Sequence, residues 1–432
     1  MTDEYPRRPV PVIIDTDPGV DDTIAILMAL ASPEIEILGF VVSFGNTDVQ
    51  SSYLNIFKIY QAVARHIEQY PGSRTRFPNF DTAVKPVICK GAHGPLEGEL
   101  HSAQFFHGRD GLGGITEGHP DLNVDPSLIS AEHPHLQVSD RPGHEVALDI
   151  LRARVPREVS YIALGPLTNL AQMLRTDAAC VRNRVGRVVI MGGALDVPGN
   201  TNPVAEFNFF ADPYAVAEVL TPENTAFGLP LSRVLLLPLD ITTPHELSFP
   251  LYASHIDTTF ALDAPSEANG KAPVTHFTSA FLRRTRSVMH RYGKDAMELH
   301  DIAAVWCAIE NPPVPDESDV FNLKKGWHVR RRKFAMERTG ELTRGMCVVD
   351  RRDDKGAYSP GANRAHIQAE LERQKIQHGP LESTAVPAQV EIEDAPPPSS
   401  EDSGGVPCIV DTPGPDVLVK LLMQRIWGKQ IS

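Results

Sequence analysis

An apolar run, a turn rich in carboxylates and a second apolar run follow one another near the start of the chain. Residues 10–14 have the apolar character of a buried strand, and residues 24–30 have the apolar spacing of a helix. Four carboxylates lie in the short turn between these two runs: Asp15, Asp17, Asp21 and Asp22. A strand that ends in a Pro-Gly turn and leads into a helix places the turn at the carboxyl edge of a sheet, where open α/β folds bind their ligands.

The crowding of these carboxylates demands a compensating positive charge. A helix N-terminus carries only about half a positive charge, which cannot neutralise four carboxylates in contact. A divalent cation can, and ligands that are all oxygen atoms favour Ca²⁺ or Mg²⁺ over zinc. The alternative is an acidic capping turn exposed to water, but a helix cap needs one aspartate rather than four. The turn therefore predicts a site for a hard divalent cation.

The composition limits the classes of partner. The chain has 432 residues, a formal net charge of −14 at pH 7, 42% hydrophobic residues and 22% charged residues. These values are typical of a globular protein with a substantial core. Because the net negative charge repels phosphate groups, we expect no nucleic-acid partner and no anionic membrane. No apolar run approaches the roughly 20 residues of a membrane span.

The cysteines and the first residues indicate a cellular location. The cysteines are odd in number and lack a C-x-x-C spacing: Cys89, Cys180, Cys307, Cys347 and Cys408. This pattern is typical of reduced thiols that pack in the core of an intracellular protein. Residues 1–8 are polar and charged, unlike a secretory signal peptide. We therefore expect a cytoplasmic protein.

Strand-like and helix-like segments alternate from residue 35 to residue 241. This alternation predicts a mainly parallel sheet flanked by helices. The expected fold class is α/β, a single large domain with its active site at the carboxyl ends of the strands. Within it, the residue pattern predicts one strand over residues 233–241 and a surface loop over residues 116–142.

The composition of the chain changes near residue 350. Residues 379–406 contain six acidic residues, no Lys or Arg, and a Pro-Pro-Pro-Ser-Ser run. Such a segment cannot bury enough apolar surface to offset the entropy lost on ordering. We expect a main domain over residues 9–350, a largely disordered, acidic and proline-rich insertion over residues 351–407, and a final strand and helix over residues 408–428 that complete the main domain.

Four motifs in a fixed order carry a resemblance to a known family. They are Asp15-Thr16-Asp17-Pro18-Gly19-Val20-Asp21-Asp22, then Gly165-Pro166-Leu167-Thr168-Asn169, then Gly199-Asn200 with Val204-Ala205-Glu206-Phe207-Asn208, and finally His300-Asp301. With them the chain resembles the inosine-uridine-preferring nucleoside hydrolase family. The resemblance covers residues 9–350 and the final helix, and it does not cover the acidic insertion. It makes residues 9–350 the expected catalytic domain.

The resemblance implies a metal site and a pair of catalytic groups. The implied ligands of a Ca²⁺ ion are Asp15, Asp22, Asp301 and the backbone carbonyl of Leu164, with the ribose 2′- and 3′-hydroxyls completing the shell. Asp17 is then implied as the general base for the attacking water, and His300 as the proton donor to the leaving base. A histidine at a helix start is often a surface residue, but the apolar run after Asp301 buries this helix and directs the His-Asp pair to its mouth.

The resemblance also implies which side chains bind the substrate. Ribose offers hydroxyl groups and no charge, so carboxylates, amides and a hard cation suit its recognition. The side chains implied for the ribose hydroxyls are Asp21 and Asn208, and Asn46 is implied to help order the same face of the substrate site. Those implied for the 5′-hydroxyl are Asn200 and Glu206.

Some of these side chains have a plain structural alternative. Asn46 follows a glycine, and its spacing alone is more typical of a turn than of a ligand. Glu206 and Asn208 lie two residues apart, which on a strand or an extended loop directs both to one side. His107 is a further candidate helper beside the leaving base. Phe207 fits stacking on the substrate and packing in the core equally well.

The implied activity is hydrolysis of the N-glycosidic bond of ribonucleosides, of the uridine and/or inosine type, to free base and ribose. Its place would be in nucleoside salvage or catabolism. The implied partner is a small-molecule ribonucleoside, and the implied assembly is a homo-oligomer, either dimer or tetramer. Residues 250–277 and 281–292 are expected to select the base, but they carry no matched motif, so the preferred base stays open.

Two other classes of protein share part of this pattern. A magnesium-dependent phosphatase with an aspartate nucleophile also begins with a strand and a D-x-D turn, but it needs Thr or Val shortly after the second Asp, where this chain has Pro18-Gly19. A nucleoside-binding protein without turnover would not require Asp17 and His300 together. Release of phosphate or of free base separates these alternatives.

Overall fold

The computed structural model describes residues 8–222, 227–261, 264–314, 321–351 and 404–431. The strands in these ranges are β1 (Val10–Thr16), β2 (Ile35–Val42), β3 (Val87–Lys90), β4 (Gln137–Ser139), β5 (Val159–Ala163), β6 (Val185–Met191), β7 (Val234–Leu237), β8 (Glu246–Ser248), β9 (Ala296–Glu298), β10 (His328–Arg332), β11 (Phe334–Met336), β12 (Cys347–Val349) and β13 (Val406–Asp411).

The α-helices in the same ranges are α1 (Val20–Leu30), α2 (Val49–Gln69), α3 (Gln104–His107), α4 (Ile115–Gly118), α5 (Gly143–Ala153), α6 (Thr168–Arg184), α7 (Phe207–Ala211), α8 (Pro213–Leu220), α9 (Leu239–Thr242), α10 (Phe249–His255), α11 (Pro273–Arg291), α12 (His300–Glu310) and α13 (Pro415–Trp427). None of these helices in the described ranges combines the length and the apolar character needed to cross a membrane.

One large sheet organises the domain. Its nine strands lie in the order β10-β13-β7-β6-β5-β1-β2-β3-β4. Every neighbouring pair is parallel except β10 and β13, which are antiparallel. This arrangement confirms the predicted α/β fold with a mainly parallel sheet. β1 lies near the centre, between β5 and β2, so the carboxylate-rich turn that follows it lies at the middle of the carboxyl edge.

Helices cover both faces of the sheet. Val12 and Ile14 of β1 belong to one apolar cluster, which also contains side chains of α1, α2, α11, α12 and α13. Ile13 points to the other face and belongs to a second cluster with side chains of α5, α6 and α8. Because strands buried on both faces need apolar residues throughout, the pattern of β1 follows from its central place.

The turn between β1 and α1 is short and well supported. Gly19 is the N-cap of α1, and its backbone N–H donates to the Asp22 carboxylate at 3.1 Å. A carboxylate in the first helical turn is favoured by the positive end of the helix dipole. Every residue from Ile24 to Leu30 is buried, so α1 lies inside the domain and fixes the position of the turn.

The end of the chain packs onto this core. β13 pairs with β7 in parallel and with β10 in antiparallel fashion. In α13, the side chains of Leu418, Leu422 and Ile426 are fully buried, and Arg425 donates to Glu34 at 2.6 Å. The strand begins at Val406, two residues before the boundary expected from sequence. The remainder of the expected insertion, residues 352–403, lies outside the described residues.

Two local predictions were wrong. The strand predicted over residues 233–241 ends at Leu237, and α9 follows it, since Pro238 has no N–H with which to continue the strand pairing. The loop predicted over residues 116–142 contains β4, which pairs with β3. β4 is three residues long and lies at the sheet edge, with Gln137 exposed, so it carries no apolar run that would reveal it.

Two matched alanine substitutions test the packing of the buried side of α13. We expect Leu422→Ala to lower the free energy of unfolding by about 2–5 kcal/mol, because it removes a fully buried side chain. Val417→Ala, on the exposed side of the same helix, should change it by less than about 0.5 kcal/mol. Urea unfolding followed by circular dichroism measures both values. Equal, small effects of the two substitutions would contradict the packing of α13.

Candidate active site

The predicted site residues meet at the carboxyl edge of the sheet. Asp15 is on β1, and Leu164 follows β5, where its backbone N–H donates to the Asp15 carbonyl at 2.8 Å. His300 and Asp301 form the first turn of α12. The topology thus joins segments that are far apart in the sequence, as the hydrogen bond between Tyr161 and Asp15, 146 residues apart, illustrates.

Four aspartates of this edge are almost completely withdrawn from water. They are Asp15, Asp17, Asp22 and Asp301. Burial raises the pKa of Asp15 to about 7. Burial, followed by the charges of neighbouring aspartates, raises the pKa of Asp17 and that of Asp301 well above the usual range. Among the described residues, none of the four forms an ion pair with Lys or Arg, so the cluster carries uncompensated negative charge.

Hydrogen bonds distinguish the roles of these aspartates. Both oxygens of Asp15 accept a hydrogen bond, one from the Tyr161 hydroxyl and one from Asn169 Nδ2, each at 2.7 Å. Asp17 Oδ2 accepts from the backbone N–H of Asn46 at 2.7 Å, whereas Asp17 Oδ1 is buried with no partner among the described residues. An orphaned carboxylate oxygen in a buried cluster calls for a ligand.

Two side chains donate to the Asp22 carboxylate, in addition to the backbone N–H of Gly19. Thr16 Oγ1 donates to its Oδ1 at 2.5 Å, and Asn46 Nδ2 donates to its Oδ2 at 2.8 Å. Asn46 therefore positions two of the carboxylates, Asp17 through its backbone and Asp22 through its side chain. Carboxylate oxygens of Asp21, Asp22 and Asp301 lie within 4.8 Å of one another. This donor set consists of oxygen atoms alone and fits Ca²⁺ or Mg²⁺.

Two glycines make room for Asp17. At Gly45, where φ is +151°, a Cβ atom would lie 2.0 Å from Asp17 Oδ2. At Gly165, which opens the second motif, a Cβ atom would lie 2.4 Å from Asp17 Oδ1. Any larger residue at either position would displace this carboxylate. The glycines in the motifs thus serve the site by leaving space for the Asp17 side chain.

A cavity of about 340 Å³ opens above these carboxylates. It is lined by ten of the predicted site residues: Asp21, Asn46, His107, Leu164, Asn200, Glu206, Phe207, Asn208, His300 and Asp301. Asp15, Asp17 and Asp22 do not line it and lie fully buried next to it. A larger cavity of about 780 Å³ elsewhere in the domain contains none of the predicted residues.

His300 is held between two partners that sequence reasoning did not identify. Its Nδ1 is 2.8 Å from Thr242 Oγ1, and its Nε2 is 3.1 Å from Glu298 Oε2. Burial would lower the pKa of His300, but the hydrogen bond and charge of Glu298, with smaller effects from Asp21 and Glu206, raise it above the usual value. The same pair acts on Glu298, whose pKa falls to about 2 despite its burial, because of His300 and Lys294.

The pKa of His107 is shifted in the opposite direction from that of His300. Its Nδ1 accepts a hydrogen bond from the backbone N–H of Val20 at 3.1 Å, which fixes this nitrogen as an acceptor. Burial, with the charges of His300 and Arg284, lowers the pKa of His107 to about 3. The ring is therefore neutral. It supports the start of α1 and lines the cavity at the same time.

The segment from Glu206 to Asn208 begins a helix and is not extended as expected from the sequence. Glu206 and Asn208 do not lie on a strand, because Glu206 is the N-cap of the short helix α7 and Asn208 lies within it. Both carboxylate oxygens of Glu206 accept backbone N–H groups, at 2.7 Å from Asn208 and at 2.8 Å from Gly193. Asn208 Nδ2 donates to the Leu164 carbonyl at 2.7 Å.

The remaining members of this motif also have structural contacts. Asn200 Oδ1 accepts from the backbone N–H of Phe207 at 2.9 Å. Phe207 lines the cavity and packs in a small apolar cluster with Phe44 and Ala103. Phe207 therefore packs in the core and also borders the cavity.

Asn169 and Glu298 were missed as site residues, each for a different reason. Asn169 belongs to the second motif, and its contact with Asp15 shows that the motif serves the carboxylate cluster. Glu298 had one available signal, its place two residues before His300. Tyr161 and Thr242 carry no such signal, because only the folded chain brings them to Asp15 and His300.

Comparisons with known proteins agree with this geometry. The sequence profile of the family described as "Inosine-uridine preferring nucleoside hydrolase" matches residues 12–378. Uridine nucleosidase 1 of Arabidopsis thaliana is 35% identical over 232 residues, which are 53% of this chain and 59% of that protein. The chain thus matches less than two thirds of that relative's length.

Two further similarities cover more of both chains. An uncharacterized protein of Schizosaccharomyces pombe is 31% identical over 343 residues, which are 78% of this chain and 88% of that protein. A solved plant nucleoside hydrolase has the same fold, with a TM-score of 0.62 at 21% identity over 97% of this chain and 99% of that one. The resemblance seen in the motifs is therefore confirmed, and the chain belongs to the inosine-uridine preferring nucleoside hydrolase family.

Proposed function

We propose that this protein hydrolyses the N-glycosidic bond of ribonucleosides to free base and ribose, with a Ca²⁺ ion at the carboxylate cluster. Uridine and inosine are the proposed types of substrate, and nucleoside salvage or catabolism is the proposed role. The observation that carries this proposal is the buried carboxylate cluster beside the cavity, which has no Lys or Arg partner among the described residues, with His300 and Glu298 at the cavity wall. Breaking an N-glycosidic bond needs negative charge near the ribosyl cation and a proton for the leaving base.

The proposed protein ligands of the ion are Asp15, Asp22, Asp301 and the Leu164 carbonyl. Asp22 and Asp301 offer carboxylate oxygens that lie close together, and Leu164 lines the same cavity. Each oxygen of Asp15 accepts a single hydrogen bond, so it keeps a lone pair for the ion. When bound, a calcium ion supplies positive charge that favours deprotonation of the attacking water and binds hydroxyl oxygens.

Asp17 suits the role of general base. Its Oδ2 is fixed by the backbone of Asn46, and its Oδ1 is free to accept a proton from water. The surrounding aspartates add negative charge near the place where the ribosyl cation forms, which lowers the energy of the transition state.

His300 suits the role of general acid. Glu298 favours the protonated ring and lies within hydrogen-bonding distance of Nε2, so a proton is held at the cavity wall. Donation of this proton to the departing base makes the base a neutral leaving group. The neutral His107 does not suit this role and is expected to contact the substrate instead.

The cavity favours a neutral ribose over a phosphate ester. Lys294 is the one Lys or Arg among the described residues that line it, and its Nζ is already bound by Glu246 at 2.7 Å and by Glu298 at 2.6 Å. The described part of the cavity wall therefore has no unpaired Lys or Arg that could bind a phosphate group. The phosphatase alternative lacks support here, and a protein that only binds nucleosides would not need the acid and base described above.

The assembly and location of the protein remain proposals. Membership in the family supports a homo-oligomer, dimer or tetramer, which light scattering coupled to gel filtration would measure. The five cysteines are free and buried, in keeping with the proposed cytoplasmic location, where thiols stay reduced.

The first prediction for the function concerns the sugar. We expect uridine or inosine to be cleaved at least about 10²-fold more efficiently, by kcat/KM, than the matching 2′-deoxyribonucleoside, because Asp21, Asn208 and the ion are proposed to bind the 2′-hydroxyl and would lose that partner. A panel of ribo- and deoxyribonucleosides with detection of the free base measures this ratio. Comparable turnover of uridine and deoxyuridine would rule out this part of the proposal.

The second prediction separates the base from the ion. Asp17→Asn is expected to lower kcat by about 10²–10⁴-fold, since the substitution removes the proton acceptor. Asp301→Asn is expected mainly to weaken Ca²⁺ binding, as it removes a carboxylate that the cluster offers to the ion. Steady-state kinetics and calcium calorimetry on both variants provide the test, with the exposed Asp149→Asn as control. Normal calcium affinity in Asp301→Asn would refute its assignment as a ligand.

The third prediction tests the link between Glu298 and His300. Glu298→Gln is expected to lower kcat by about tenfold or more for nucleosides, because the ring loses the charge that keeps it protonated. The loss should be much smaller for p-nitrophenyl riboside, whose leaving group departs without protonation. Glu246→Gln is the matched control, since Glu246 also binds Lys294 but does not contact His300. Equal losses on both substrates would show that Glu298 does not act through the proton.

A further inference from the structure

Three metal-binding side chains meet at a place remote from the carboxylate cluster. His119 and Asp121 lie in the turn after α4, and His276 lies in the first turns of α11. Each residue offers one ligand atom, and the three atoms lie within 4.8 Å of one another. None of the three lines the 340 Å³ cavity, so this group is separate from the candidate active site.

The His119 side chain forms no hydrogen bond with any described residue. Only 7% of the residue is exposed, and its ring nitrogens keep access to solvent or to an ion. Its ring packs edge-to-face against His276, with 5.6 Å between the ring centroids. Because buried polar groups ordinarily have a partner, a nitrogen directed toward another histidine and a carboxylate suggests a shared ligand.

His276 is oriented by its second nitrogen. The residue is 4% exposed, and Nδ1 lies 2.9 Å from Ser266 Oγ. This contact turns Nε2 toward Asp121, whose Oδ2 is 2.9 Å away. Histidines that bind metals are usually held in this manner, with one nitrogen on the metal and the other bonded to a neighbouring oxygen.

We propose that His119, Asp121 and His276 form a binding site for a Zn²⁺ ion. Two imidazole nitrogens and one carboxylate suit zinc better than Ca²⁺, which takes oxygen ligands. His276 Nε2 and Asp121 Oδ2 lie 2.9 Å apart, a hydrogen-bond distance, and an ion with ligands at about 2.0–2.1 Å would replace this hydrogen bond after a small separation to about 3.3 Å. A neighbouring cavity of about 130 Å³, lined by Asp121 and His276, has room for water as the fourth ligand.

Positive side chains also lie near the site, and Lys58, Arg65 and Lys271 line the neighbouring cavity. Arg283 and Lys271 both act electrostatically on His119, and Asp121 opposes them. Lys271 is itself paired with Asp257 at 2.7 Å, which reduces its effect on a bound cation. The ion would join the turn after α4 to α11. That turn follows α3, which carries His107, so the site ties a segment of the cavity wall to the body of the domain.

Zinc titration of the full-length protein tests the proposal. The protein is stripped with a chelator and then kept in excess Ca²⁺, so that the carboxylate cluster is filled, and Zn²⁺ binding is measured by calorimetry. Co²⁺ replaces Zn²⁺ in a second experiment, since its visible absorption reports tetrahedral coordination. We expect one zinc per chain, a tetrahedral cobalt spectrum and a rise in melting temperature on zinc addition.

Matched variants assign the site. His119→Gln should lower zinc affinity by at least about tenfold while the melting temperature of the metal-free protein stays unchanged, since the ring forms no hydrogen bond that the substitution would break. His276→Gln should act likewise; if it fails to fold, His119→Gln decides. His255→Gln, at an exposed histidine of α10, and Asp301→Asn should keep full zinc affinity. Full affinity in His119→Gln, or no zinc bound to the unaltered protein at micromolar concentrations, would overturn the proposal.

Discussion

The buried negative charge at the end of β1 is the constraint on which the site depends. Carboxylates are removed from water only where a partner compensates for the lost hydration, and here the described residues supply hydrogen bonds but no Lys or Arg. The central position of β1, the turn at Gly19 and the space left by Gly45 and Gly165 all serve to hold these carboxylates together. The fold therefore brings together carboxylates that suit a cation, next to the cavity proposed for the substrate.

The ionisable groups in and beside the cavity differ in how their surroundings shift their pKa values. Burial and the charges of neighbouring aspartates raise the pKa of Asp17. The hydrogen bond and charge of Glu298 raise the pKa of His300, whereas burial lowers the pKa of His107. The pKa values of the two cavity histidines are thus shifted in opposite directions, which supports the proposed use of His300 rather than His107 as the acid. His107 has a low pKa beside His300, so the two histidines cannot exchange roles.

Much of this arrangement could be predicted from the sequence, because the strand, the turn and the helix around Asp17 are contiguous. The short-range pattern predicted the parallel sheet and its carboxyl edge, and the motifs contain nine of the residues that line the cavity. Contacts between distant segments could not be foreseen. Tyr161 holds Asp15 from 146 residues away, and nothing near Tyr161 marks it. The helical geometry at Glu206 was also missed, since an N-cap and an extended loop share the same residue types there.

The central claim is that the carboxylate cluster must hold a calcium ion for the N-glycosidic bond to be cleaved. The most direct measurement is the initial rate of base release from uridine and inosine by chelator-treated protein as Ca²⁺ is added back, with calcium occupancy followed in the same samples. The account predicts negligible base release without the ion and a rate that rises in proportion to one bound calcium per chain. Full turnover in the continued presence of chelator would contradict it.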